Sequence, residues 1–432
     1  MKIPPFAPFD GPVRLLPETD AALCAPTGAS GGARRAAQPR AARVVLGMLR
    51  RIPIGTLDLT LPDGSALRCG SGAAPHAMLA IHDWSACAAV LKSGDIGFGE
   101  SHIDGRWSTP DLVALLELLV ANRNALDAAV RGTWWGRLQH VLRHRLRRNS
   151  RAGSRRNIHA HYDLGNDFYR LWLDESMTYS SALFAADSPG AAPSLADGQA
   201  AKYQRVLDQL ALPAGARVLE IGCGWGGFAL RAAEAGLSVT GLSLSQEQLA
   251  WGRSSVRAAG FGERVDLRFE DYRDHDPQGG YDGIVSIEMF EAVGEEYWDG
   301  YFDTLRRSLK EGGKAVVQAI TIAEHLFPAY RKSTDFIQQY IFPGGMLPSH
   351  SAFLRAARRA GLAVAETHCF GRDYGQTLRM WLERFDRNEV AVRNLGFDTA
   401  FIRTWRFYLA YCAAGFVHGN LDVVQYTLEH AR

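Results

Sequence analysis

The chain has 432 residues, of which 47% are hydrophobic and 22% charged, and its formal net charge is +2. That length predicts two or three domains at roughly 150 residues each, and the composition supports a sizeable core. A charge so near neutral excludes a globally basic nucleic-acid binder and leaves only local patches open.

The six cysteines, Cys24, Cys69, Cys87, Cys223, Cys369 and Cys412, show no metal-ligand spacing. A chain this long needs no disulfide staples, so they read as reduced thiols in a cytoplasmic protein. No apolar run approaches the ~20 residues that span a bilayer. The richest, Leu112 to Ala121, is short and contains Glu117. Prolines, Phe6 and Asp10 follow Met1-Lys2, where a signal peptide would have an apolar stretch. Membrane contact is therefore expected to be peripheral.

Residues 1–45 are rich in Ala, Gly, Pro and Arg without periodicity, which predicts a disordered leader. Thr56 to Leu61 alternate apolar and polar, and Pro62-Asp63-Gly64 follows as a turn, predicting a strand and hairpin. Thr109-Pro110-Asp111 reads as a helix start with Thr109 as the cap. Residues 46–130 are thus expected to form a small α+β domain. Residues 131–156 carry Arg131, Arg137, Arg143, Arg145, Arg147, Arg148, Arg151, Arg155 and Arg156 and no acid. Trp134, Trp135, Leu138, Val141, Leu142 and Leu146 recur among them at helical spacing. This basic amphipathic helix and linker has two readings: a face packed on its own domain, or an element lying on an anionic membrane surface.

Beyond Ala216 strands alternate with helices. Arg217–Ile221, Ser238–Leu242, Asp282–Ser286 and Ala315–Ile320 read as strands, and Ser245 as a helix start. Such alternation predicts an α/β fold with a mostly parallel sheet and helices on both faces. The last seventy residues read as helical and aromatic. No internal repeat appears.

The run Glu220-Ile221-Gly222-Cys223-Gly224-Trp225-Gly226-Gly227 lies between a strand and a helix. Glycines there let the backbone turn sharply and leave room for a ligand at the carboxyl ends of the strands. The acid before a G-x-G-x-G spacing resembles motif I of the class I S-adenosylmethionine methyltransferases. The dinucleotide fingerprint spaces its glycines differently, and Gly241-Leu242-Ser243 offers no acid for a ribose.

Further motifs follow in order. They are Asn157 to Tyr169, Met177-Thr178-Tyr179-Ser180-Ser181, Gly241 to Gln248, Met289-Phe290-Glu291-Ala292-Val293-Gly294, Phe342-Pro343-Gly344-Gly345, Tyr374 to Trp381 and Tyr411-Cys412-Ala413. Together they resemble the cyclopropane-fatty-acyl-phospholipid synthase family, which includes the mycolic acid methyltransferases. The likeness is close over residues 157–432, the expected catalytic domain, and looser over 45–130. It implies a class I methyltransferase acting on the cis double bonds of unsaturated phospholipid acyl chains at the inner face of a membrane, most simply forming cyclopropane. It also implies S-adenosylmethionine as cofactor and no metal or nucleic acid, and it admits a homodimer.

Carried over by position, Tyr179, Ser180, Glu220, Gly222, Cys223, Gly224, Ser243, Gln248, Asp271 and Tyr272 would line the cofactor. The family's base is a bound bicarbonate, and the positions matching its holders are Ser181, Glu291, Gln318, Ile320 and Tyr374. Cys412 lies beside them. Two positions depart from the family, with Ser181 in place of Cys and Gln318 in place of His. Glu288 stands where bacterial synthases have Gly and would add a carboxylate on the face of Glu291. These changes leave the fate of the proton open: loss from a chain carbon would give a methylene- or methyl-branched chain in place of a ring.

Plainer readings stand beside these. Glu291 alone would read as a surface acid, Tyr374 as a core tyrosine and Cys412 as a buried thiol. Ser245 and Gln248 fit a capping box, with Gln248 reaching back to the Ser245 backbone.

Overall fold

The computed structural model describes residues 38–126, 164–184 and 194–431. Most of the expected leader, the basic segment 131–156 and Asn157 to Asp163 lie outside the described residues.

Helix α1 (Arg40–Leu49) begins ahead of the boundary expected at residue 45, because Ala42, Leu46 and Leu49 line one face at helical spacing and are buried. Strands β1 (Thr56–Thr60) and β2 (Ala66–Gly70) form the expected hairpin around Asp63-Gly64. Strand β3 (His76–Ile81) pairs parallel to β1, and β4 (Trp107–Ser108) closes a four-stranded sheet of order β2-β1-β3-β4. Helices α2 (Ser85–Ser93), α3 (Asp95–Ile103) and α4 (Leu112–Ala121) pack around it. The cap of α4 is Asp111, not Thr109: its carboxylate accepts from Ala114 N at 2.9 Å, while the Thr109 hydroxyl bonds the Asp111 backbone. Asp at this position satisfies an otherwise orphaned helix amide, and its loss would cost about 1 kcal/mol.

The remaining chain builds a seven-stranded sheet of order β10-β11-β9-β8-β5-β6-β7. Its strands are β5 (Arg217–Ile221), β6 (Ser238–Ser243), β7 (Val265–Phe269), β8 (Tyr281–Ile287), β9 (Leu309–Ile322), β10 (Leu362–Cys369) and β11 (Leu421–His430). The five strands from β9 to β7 run parallel, and β10 and β11 are antiparallel additions. Helices α5 (Leu195–Leu210), α6 (Gly227–Glu234), α7 (Gln246–Ala258), α8 (Trp298–Ser308) and α9 (His350–Arg359) accompany the sheet. Then come α10 (Gly371–Arg387) and α11 (Thr399–Val417). The last seventy residues are therefore not wholly helical. β11 sits inside the sheet, with Val423 to Leu428 all buried, so it lacks the alternation that announces a half-exposed strand.

The small sheet does not own a separate core. One cluster of buried side chains runs from Ala42, Leu57 and Leu79 through Leu115 and Trp172 to Trp381, Phe407 and Ala413. The described residues from Gln38 onward form a single compact unit, in which α3 and α4 pack on α11. Burying side chains such as Leu115 and Phe407 contributes roughly 1.5–3 kcal/mol apiece, so the four-stranded sheet is tied to the catalytic part by the core they share.

Candidate active site

The carboxyl ends of β5, β6, β8 and β9 face one region, as parallel sheets of this kind arrange it. The turn after β5 carries Gly222 and Gly224 with φ of +85° and +51°. A Cβ at Gly222 would stand 2.8 Å from the Met289 side chain, whereas one at Gly224 would meet nothing within 4 Å. The first glycine is thus required by packing and the second borders open space. Glu220 is buried at the end of β5, and its Oε2 has no partner among the described residues. Burial holds its carboxyl well above the usual range, with Lys202 pulling the other way. An unpaired buried acceptor beside an open glycine cradle fits a ligand bearing hydroxyl or ammonium groups, as S-adenosylmethionine does.

Other residues expected at the cofactor are placed as follows. Cys223 is buried, its thiol pushed up by burial, and its N–H donates to Leu242 O. Ser243 ends β6 and donates to Gln248 Oε1 at 3.1 Å. Ser245 caps α7 by accepting from Gln248 N, but its own N–H donates to Ser243 Oγ, so the capping box is only half formed. Asp271 is gripped by Arg273 through both oxygens, at 2.8 and 2.6 Å. Tyr272 stands edge-on to Tyr301. Ser180 accepts from Lys202 Nζ at 2.6 Å. Tyr179 shares a 2.7 Å hydroxyl contact with Tyr408 and sits among Tyr169, Trp172, Trp381 and Phe342.

The residues expected around the base are brought together, but around a side chain. Glu288 follows β8 with φ +49°. Its Oε1 accepts from the backbone N–H of Ser181 at 2.8 Å and from Gln318 Nε2 at 2.7 Å, and Tyr374 lines the same cavity as this carboxylate. The Ser181 hydroxyl instead donates to Ala182 O, so it contributes its amide and not its side chain. Gln425 donates to Gln318 Oε1 and so orients the amide toward Glu288. Glu291, in a short 3-10 turn, accepts from Ile320 N–H on Oε1, and its Oε2 is unpaired among the described residues. Burial, then repulsion from Glu288, pushes Glu291 up to about 8. Tyr374 is held well above the ordinary phenol range by burial, and the Cys412 thiol is likewise raised. Neither supplies an anion at neutral pH.

Lys202 escaped the sequence reading. It is fully buried on α5 and donates to Ser180 Oγ and Gln199 Oε1, each at 2.6 Å. Burial pushes it down to about 7, while Glu288, Asp174 and Glu220 favour its charge. Burial raises Glu288, and Lys202 is the leading influence that lowers it. One lysine thus serves the charge of both the strand-end acids. A lone Lys on a helix gives no sequence signal, since its partners are on other elements.

A cavity of about 760 Å³ opens onto this cluster. Glu288, Glu291, Ile320, Tyr179, Tyr374 and Tyr408 border it, and most of its wall is aliphatic or aromatic. The surface that the two carboxylates leave uncovered faces this cavity.

A seven-stranded, mostly parallel sheet with a glycine cradle after its first parallel strand and an apolar pocket beside it defines a class I S-adenosylmethionine-dependent methyltransferase. Residues 149–426 match the family model described as mycolic acid cyclopropane synthetase, and the chain belongs to that family. It is 42% identical to the tuberculostearic acid methyltransferase of Mycobacterium tuberculosis, over 86% of this chain and 87% of that one. It is 33% identical to the cyclopropane-fatty-acyl-phospholipid synthase of Escherichia coli, over 78% and 83%. Among solved structures, a mycolic acid cyclopropane synthase complexed with SAH and CTAB aligns with a TM-score of 0.59 at 32% identity. It covers 63% of this chain and 97% of that one. The protein is accordingly an enzyme of S-adenosylmethionine-dependent lipid acyl-chain modification. No described helix is long and apolar enough to cross a membrane, and the described residues hold no cluster of His, Cys, Asp and Glu suited to a metal.

Proposed function

We propose that this enzyme methylates a cis double bond within the acyl chain of a membrane phospholipid, and that Glu288 takes the departing proton, leaving a methylene branch in place of a ring. The observation that carries this reading is the position of the Glu288 carboxylate. Ser181 N–H and Gln318 Nε2, two of the positions expected to hold bicarbonate, are hydrogen-bonded to it. A separate anion is then unnecessary.

Bound S-adenosylmethionine supplies an electrophilic methyl on sulfonium. The alkene π pair would form the new carbon–carbon bond as the methyl–sulfur bond breaks, its electrons staying on a neutral thioether that leaves, and the neighbouring chain carbon would become cationic. The largely apolar wall of the cavity disfavours water that would capture this cation, and the rings of Tyr179, Tyr374 and Tyr408 border it as cation–π partners. A hydride shift from the methyl-bearing carbon moves the cation onto that carbon. Loss of a methyl proton to Glu288 then leaves a methylene branch. The proton that matters therefore comes from the new methyl, not from a chain carbon, and a ring results when it leaves before the hydride moves. A saturated methyl branch would require an added hydride donor. The relative named as tuberculostearic acid methyltransferase supports branching, while the family description and the E. coli relative support ring closure.

The test is expression in a host that makes unsaturated phospholipids and no cyclopropane, followed by proton NMR of the fatty acids. Olefinic methylene signals are expected. Upfield ring signals alone would overturn the branched product, and an unchanged acyl profile would overturn acyl-chain methylation.

A further inference from the structure

The cavity beside Glu288 does not end at the strands of the large sheet. Its wall continues onto Val45 and Met48 of α1, Val90 of α2, Phe98 of α3 and Leu119 of α4. These apolar side chains remain half-buried, although they belong to helices packed on the shared core. Leu79, Ile81, Cys87 and Trp107 also border the cavity and are 5%, 5%, 3% and 2% exposed, so it reaches the interior of the four-stranded sheet. Protein cores are close-packed, and a large apolar space left inside one marks a ligand site. The matched family residues start at 149, so this part of the wall lies outside them.

On the acyl-methylation reading, we infer that the N-terminal segment receives the part of the acyl chain between the double bond and the terminal methyl. Met48 and Val90 then limit how many carbons that part has. The space is continuous with the carboxylates that face the reacting carbons, so its occupant is the same chain. A phosphate or ester could not shed its water among Leu79, Ile81 and Trp107, which assigns this end to hydrocarbon. Among the polar lining residues, Asn124 and His325 are exposed, and they mark the side on which a head group would stay wet.

The test uses the full chain and vesicles of phosphatidylglycerol. Their acyl chains carry a cis double bond at one fixed distance from the carboxyl and tails of graded length beyond it. Filling the space with Val90→Trp should shift product ratios against the longest tails by roughly tenfold or more, the scale on which an apolar pocket discriminates methylenes. Met48→Ala should shift them the other way, and it decides the matter if Val90→Trp fails to fold. Affinity for S-adenosylhomocysteine should not change in either variant. Unaltered tail preference in folded variants would overturn the inference, as would a shift that follows the carboxyl side of the double bond. No transfer by the native enzyme to any vesicle would overturn the acyl-chain reading beneath it.

Discussion

Glu288 occupies a backbone conformation that a glycine adopts freely and a glutamate does not. Its φ of +49° costs on the order of 1 kcal/mol or more, and such strain persists where function holds it. The departures at Ser181 and Gln318 make sense beside it: an amide N–H and a carboxamide N–H both donate to the fixed carboxylate, so no titratable histidine is needed. Glu291 behaves differently. Its pKa of about 8 in the fold stands above the free value of 4.5, so the folded protein binds more protons than the unfolded chain between those limits. Stability should fall as pH rises through that window, by at most about 1.4 kcal/mol per unit from this group. Asp335, raised to about 7, acts in the same direction. Melting temperatures of Glu291→Gln should therefore decline less steeply from pH 5 to pH 7 than those of the native protein. Parallel profiles would show that Glu291 ionises normally.

At the scale of elements, the turn after β5 separates two roles that the motif presents as one. Gly224→Ala adds a Cβ where the cofactor cradle is open, and is expected to weaken S-adenosylhomocysteine binding by about tenfold or more, with only the modest loss of melting temperature that a φ of +51° imposes on alanine. Gly222→Ala collides with Met289 and should lower the melting temperature first. Calorimetry beside thermal melts checks both, and equal effects on binding and stability would refute the distinction. Four of the five parallel strands were legible because buried strands read as short apolar runs, and Arg217–Ile221 matches β5 from end to end; β7, an edge strand with only Val265 and Leu267 buried, was missed. β10 and β11 were not, since the aromatic helices before β11 set the reading of the whole C-terminal stretch. The Glu288–Gln318 contact was illegible for another reason. Its partners are 30 residues apart, and only the parallel register of β8 and β9, with Ile287 opposite Gln318, brings them together.

For the whole molecule, the sequence supported a small N-terminal domain, whereas the structure merges α1 to α4 with α10 and α11 in one core. Composition shows that a segment is apolar enough to fold; it does not show which other segment its apolar faces cover. The same merging shapes the cavity, whose wall comes from both parts of the chain, while the two carboxylates and the tyrosines beside them come from the catalytic part. On the proposed mechanism the proton acceptor is built into the fold. The most direct test of this is the rate of methyl transfer to unsaturated phospholipid vesicles, with dissolved carbonate stripped out or added back, for the native enzyme and for Glu288→Gly. Glycine suits the local φ, so the variant removes the carboxylate without new backbone strain. The native rate should ignore bicarbonate. The variant should lose about a hundredfold or more, the range for a lost general base, and recover part of it when bicarbonate is added. A native enzyme that stalls without bicarbonate, or a variant that runs at full rate in its absence, would contradict the account.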